Sequence, residues 1–178
     1  MIAKPITEPS RLKPRPLHLW LRFLGFYAAF SLVAHLVWEV LQLPLYTLRQ
    51  TEPPSYVLFA VLHCTAGDLL IGSTAFLVAL PVTRASVWPP PRFAAFAVTA
   101  ITTGVGYTIY SEWLNVFVRK SWAYSEWMPL VPGTGIGLSP ILQWLVVPTL
   151  ALGWAYRAVA PRSSDAVSPS LGGSHAGW

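Results

Sequence analysis

Charge is scarce in this chain. Only 11% of its 178 residues are Asp, Glu, Lys or Arg, against 54% hydrophobic, whereas a soluble domain carries about 25% charged residues. A water-solvated surface cannot be built from so few charges, and the composition reads as that of a membrane protein. Cysteine is nearly absent too. Cys64 is the sole one, which excludes an intramolecular disulfide and any CxxC thiolate zinc or redox site. Period-2 alternation between hairpin turns is missing, which disfavours a barrel, and no internal repeat appears, which disfavours an inverted-repeat transporter in one chain.

What is present is four long apolar runs, about 23–46, 56–82, 93–118 and 138–159. Each reaches the ~20 residues needed to cross a hydrocarbon core of ~30 Å. Backbone groups in lipid must bond within their own segment, so the runs are expected to be helices. The fold class is all-α: an integral membrane four-helix bundle with up-down-up-down order. The first run is preceded by basic residues, as a signal peptide would be, but it continues to the length of a full span and lacks a small-residue cleavage site.

The net charge of +5 follows membrane topology and does not call for nucleic acid. Lys4, Arg11, Lys13, Arg15, Arg22, Arg84, Arg92, Arg157 and Arg162 fall on one side, against Arg49, Arg119 and Lys120 on the other. The positive-inside rule then places both termini in the cytoplasm, as a multi-pass protein of the cell inner (cytoplasmic) membrane. Residues 1–18, basic and Pro-rich, and 161–178, rich in Ser, Gly and Pro, are expected to be flexible tails.

The loop 119–137, "RKSWAYSEWMPLVPGTGIG", is long and aromatic. Its rings suit the headgroup layer, so it is expected to cap the outer mouth of the bundle and to meet any membrane-protein partner. Gly133, Gly135 and Gly137 would allow its tight return. Ser139 and Pro140 are expected to be the N-cap and first position of the last helix.

Polar residues inside the apolar runs carry the functional question. At about 100° per residue, His35, Glu39 and Gln42 lie within roughly 60° of one another. Thr108, Ser111, Glu112 and Asn115 share a second face within about 100°. His63 and Asp68 are less tidy, about 140° apart. Counting about 1.5 Å per residue from the outer helix ends, Glu39, His63, Glu112 and Gln143 lie roughly 7–11 Å down, and His35, Asp68 and Thr108 roughly 15–18 Å. All four helices therefore supply one polar cluster in the outer half of the bundle, while the inner half is apolar. An ionisable residue in hydrocarbon costs about 2.5–3.5 kcal/mol on insertion scales, so these groups should turn inward.

Two chemistries suit such a cluster. His35, Glu39, His63, Asp68 and Glu112 are a ligand set for a divalent transition metal, zinc, iron or manganese, although the Glu-x-x-His of di-iron bundles and the His-Glu-x-x-His of zinc proteases are missing. Without a metal, His35, Glu39 and Glu112 are candidate catalytic acids and bases acting on a small or lipidic molecule. Gln42, Asp68, Thr108, Ser111, Asn115 and Gln143 would then contact the ligand. The alternative is an accessory, assembly or transport subunit with no catalysis of its own.

"HLVWE", residues 35–39, resembles the His-Leu-Val-x-Glu turn of the emopamil-binding, or EXPERA, membrane proteins. That resemblance implies proton-transfer roles for His35 and Glu39 and covers about one and a half helical turns.

Overall fold

The computed structural model describes residues 17–160. The tails expected to be flexible therefore lie outside the described residues, except that Leu17 and His18 already belong to a helix. Helix α1 spans Leu17–Gln42 and tightens into a 3-10 turn over Leu43–Leu45. A single turn, α2, covers Leu48–Thr51. Helix α3 spans Pro54–Val82, α4 Phe93–Glu112 and α5 Leu138–Val159. Among the described residues there is no strand. The first helix begins six residues earlier than the apolar run, because Leu17, Leu19, Trp20 and Leu21 extend its apolar surface past Arg22.

Proline placement explains these bounds. Pro44 sits in the 3-10 turn, Pro53 and Pro54 open α3, and Pro89, Pro90 and Pro91 fill the α3–α4 connection. Each occupies a site where a missing N–H costs little. Helix α4 does not stop at Glu112 but continues as a π-helical stretch, Trp113–Val118. Four helical segments, Leu17–Leu45, Pro54–Val82, Phe93–Val118 and Leu138–Val159, are long and apolar enough to cross a membrane. Leu32, Val33, Val37 and Leu41 of α1 and Leu58, Leu62 and Leu70 of α3 lie exposed on the outside, a surface that suits lipid.

Helix α1 packs on α3 and α5, and α4 packs on the same two. Contacts fix the alternating directions. Near the start of α1, Trp20 meets Phe76 late in α3, and Phe76 meets Phe96 early in α4. Phe93 in turn meets Tyr156 near the end of α5. This end is an aromatic core of Phe23, Phe76, Phe96, Ala151, Leu152 and Ala155, closed by Trp88 of the connecting loop.

The opposite end carries the polar groups, with His35 and Gln42 of α1 against Asp68 of α3 and Gln143 of α5. The segregation into a polar half and an apolar half follows the expected depths.

Candidate functional site

Gln143 is the hub. Its Oε1 accepts from Gln42 Nε2 at 3.3 Å, and its Nε2 donates to Glu39 Oε1 at 3.1 Å and Asp68 Oδ2 at 3.0 Å. Reversing the amide would set its oxygen against two carboxylates, so the orientation is fixed by its neighbours. Gln42 Nε2 also donates to Glu39 Oε1 at 2.9 Å, and Gln42 Oε1 accepts from Ser139 Oγ at 2.9 Å. Trp38 Nε1 donates to Ser139 Oγ at 3.3 Å.

His35 and Asp68 form a buried pair, Nδ1 to Oδ2 at 3.2 Å, with His35 only 1% exposed. A carboxylate oxygen and an imidazole nitrogen this close repel unless a hydrogen lies between them. Gln143 Nε2 also lies 3.0 Å from His35 Nδ1, so its two amide hydrogens serve three close partners, Glu39, Asp68 and His35. Asp68 Oδ1 accepts from Trp144 Nε1 at 3.2 Å. The Trp144 ring reaches this position by lying on Gly104, where a Cβ would collide with it.

The two carboxylates therefore differ. Asp68 is held on both oxygens, by Gln143 and His35 at Oδ2 and by Trp144 at Oδ1. Glu39 has two donors, both on Oε1, and among the described residues none reaches Oε2. Nor is Oε2 one of the sealed, unbonded polar atoms, which are Ser31 Oγ, Trp88 Nε1, Thr108 Oγ1 and Trp122 Nε1.

Beside this network lies a cavity of about 510 Å³, a size that suits a small organic ligand. Glu39, Gln42, Asp68 and Gln143 form one wall, and Thr108, Ser111, Glu112 and Asn115 of α4 form the facing one. Every residue expected to bind a ligand lines it. His35 does not; it stands behind Asp68.

Glu112 is bonded by the loop 119–137 and not by the Gln143 network. Tyr124 Oη donates to Glu112 Oε2 at 2.5 Å and accepts from the Gly137 N–H at 3.0 Å. Burial, and then the Glu112 carboxylate, raise the Tyr124 phenol above its ordinary value, so it stays a donor. The loop is tied down by backbone bonds. Thr47 N–H donates to Ala123 O at 3.0 Å and Ser125 N–H to Leu45 O at 2.9 Å, with the Tyr46 and Tyr124 rings 5.6 Å apart. Gly133 and Gly135 take positive φ, 77° and 71°, as a tight return requires. Gly137 serves otherwise: its φ is −62°, but a Cβ there would stand 3.0 Å from Met128 Sδ and 3.1 Å from the Tyr124 ring.

Some expectations fail locally. Ser139 is not the N-cap of α5, a place taken by Gly137; its hydroxyl donates to Gln42 instead, a bond that caps nothing. His63 stays at the exposed rim of the cavity, stacked on Phe59 with centroids 5.5 Å apart. The 140° between His63 and Asp68 decides this, because the bundle buries only one of the two. Asn115 turns back on its own helix, donating through Nδ2 to Ser111 O at 2.9 Å, while its backbone carbonyl accepts from Ser121 N–H at 2.8 Å.

Among the described residues, no three His, Cys, Asp or Glu side chains converge as a metal-holding group. His63 stays at the rim, and His35 and Asp68 face each other, so the donor set expected for zinc, iron or manganese does not fit one ion as these side chains stand.

Trp144, Ser139 and Tyr46 belong to the site or its lid although the sequence marks none of them as such. The available signal was Gly104 on the polar face of α4, a gap that only a large ring on a neighbouring helix would fill.

Compared with known families, curated proteins and solved structures, the chain matches none.

Proposed function

We propose that this chain is a multi-pass protein of the cytoplasmic membrane, both termini inside, that binds a small or lipidic molecule in the cavity and moves a proton on it through Glu39. The observation that carries the reading is the open oxygen of Glu39. A carboxylate held through Oε1 by two amide donors, with Oε2 left to a cavity of ligand size, is built as a general base is: oriented on one side and free on the other.

His35 and Asp68 act as positioning residues in this reading. Neither His35 nor the bonded oxygens of Asp68 are free to reach a ligand. Together they lock Gln143, and Gln143 with Gln42 orients Glu39. Glu112, bonded by Tyr124 and facing from α4, is the ionisable group opposite Glu39 across the cavity. The expected proton-transfer role of His35 thus becomes an indirect one, while that of Glu39 stands as proposed.

The test is hydrogen exchange on the bound molecule. The full chain is purified from membranes, its co-purified small molecules are identified by mass spectrometry, and the loaded protein is incubated in deuterium oxide. Wild type is expected to place deuterium at carbon in the bound molecule at least tenfold faster than Glu39→Gln at equal folding. Equal rates, or a cavity that retains nothing, overturn the reading.

A further inference from the structure

The residues around the cavity are not equally covered. Those contributed by α1 and α5, Gln42, Pro140, Gln143 and Trp144 among them, are buried or half-buried. The fully exposed ones lie on one side only: Tyr56, Phe59 and His63 of α3, Tyr107 of α4, and Arg119 and Ser121 just after it. The wall is thus open along the α3–α4 seam. Small residues keep the seam wide there, with Ala60, Cys64 and Gly67 on successive turns of α3. At about 1.5 Å per residue, His63 lies roughly 13 Å below the start of α3 and Tyr107 roughly 16 Å below the end of the π-helical stretch, so the opening runs well down the apolar flank.

The end of the bundle is treated differently. There half-buried Trp122 of the loop 119–137 lies over the cavity, and the loop is fastened through Tyr124 to Glu112 and through backbone bonds to 45–47. The gateposts of the side opening, Tyr56, Phe59 and Tyr107, are aromatic rings 44%, 59% and 50% exposed. Three carboxylates, Glu39, Asp68 and Glu112, line the interior against one cation at the rim, Arg119.

We propose that the cavity fills sideways through the α3–α4 seam while the 119–137 loop keeps its outer end shut, so that its ligands are apolar molecules dissolved in the bilayer with an uncharged or cationic head. This deepens the proposed function and rests on its membrane placement. An anionic head would meet three carboxylates in a low-dielectric space, where like charges repel most.

The chain carries its own reporter, because Cys64 lines the cavity and is the sole cysteine. Full-length protein in liposomes is treated with an uncharged, bilayer-soluble maleimide or with a sulfonated, membrane-impermeant one, and labelling is followed by intact mass. Wild-type Cys64 is expected to react at least tenfold faster with the uncharged reagent, relative to the two reagents' rates with the same thiol in detergent-denatured protein. Ala60→Trp, which fills the seam, should slow the uncharged reagent several-fold, and Tyr124→Phe, which loosens the loop, should speed the sulfonated one.

Equal relative rates in wild type overturn the sideways route, as does a Cys64 that reacts with neither reagent before denaturation. Glu39→Gln keeps the preference for the uncharged reagent if the route stands, whatever becomes of its proton-transfer role. The two readings therefore fail separately.

Discussion

Trp144 donates its indole N–H to Asp68 across the α3–α5 interface while its ring rests on Gly104 of a third helix. A single side chain thus joins three of the four long helices at the floor of the cavity. Gly104→Ala inserts a methyl group where that ring lies, and the ring must leave Asp68. Overpacking of this kind costs about 1–3 kcal/mol, more than the helix propensity of about 1 kcal/mol that alanine gains over glycine. Gly106→Ala, where a Cβ meets nothing within 4 Å, should be neutral or slightly stabilising. Thermal unfolding of the two variants in one detergent should separate them in opposite directions.

The buried His35–Asp68 pair should show the asymmetry of buried ion and hydrogen-bond pairs. Removing one member strands the other, at a cost of about 3–5 kcal/mol, whereas replacing both with apolar residues costs much less. His35→Leu alone and Asp68→Leu alone are each expected to lower the melting temperature further than the double variant does. A double variant as unstable as the sum of the singles would show that the pair is not coupled.

Glu39→Gln should leave stability within about 1 kcal/mol of wild type. Glutamine keeps an Oε1 acceptor for Gln42 and Gln143 and presents its new N–H2 to the cavity, where Oε2 has no protein donor to lose. Asp68→Asn differs, because every orientation of its amide sets an N–H2 against at least one existing donor. The measurement is melting temperature and yield of folded protein for the two variants side by side.

Tyr124 sets the pH dependence of the loop. Its phenol is raised above the ordinary value of 10.0 by burial and by Glu112. A folded-state value above the unfolded one means that the contribution to loop docking is complete below about pH 10 and is lost as pH rises through the folded value. Tyrosinate absorbance should show one late-titrating tyrosine fewer in Tyr124→Phe than in wild type, together with loop release only in strong alkali. A wild-type titration without that late step would contradict the Glu112 contact. At neutral pH the same substitution should cost about 1–2 kcal/mol, as loss of a hydrogen bond to an ionisable group does.

Much of this was legible in the sequence. Apolar run length gave four helices, and the spacing of His35, Glu39 and Gln42 put all three on the face that meets Gln143. Depth counting separated the polar end from the aromatic one. Periodicity failed where a second helix decides the outcome. Only packing could choose between His63 and Asp68, because both cannot enter the same buried arc of α3. The π-helical stretch Trp113–Val118 adds a residue to a turn and rotates everything after Glu112, so Asn115 bonds to its own helix and to Ser121. Tyr124 was read as a ring for the headgroup layer; its hydroxyl found a carboxylate because Gly137 leaves room for the ring.

The aromatic core has a mechanical consequence. It rivets the four helices together at one end and leaves the other end hollow, so that compliance collects at the hollow end. With Phe76 as pivot, Phe59 stands about 25 Å away along α3, and a tilt of about 5° moves it by about 2 Å. Any rotation of α3 about that core would therefore be felt far more at the cavity's side opening than among the aromatic rings.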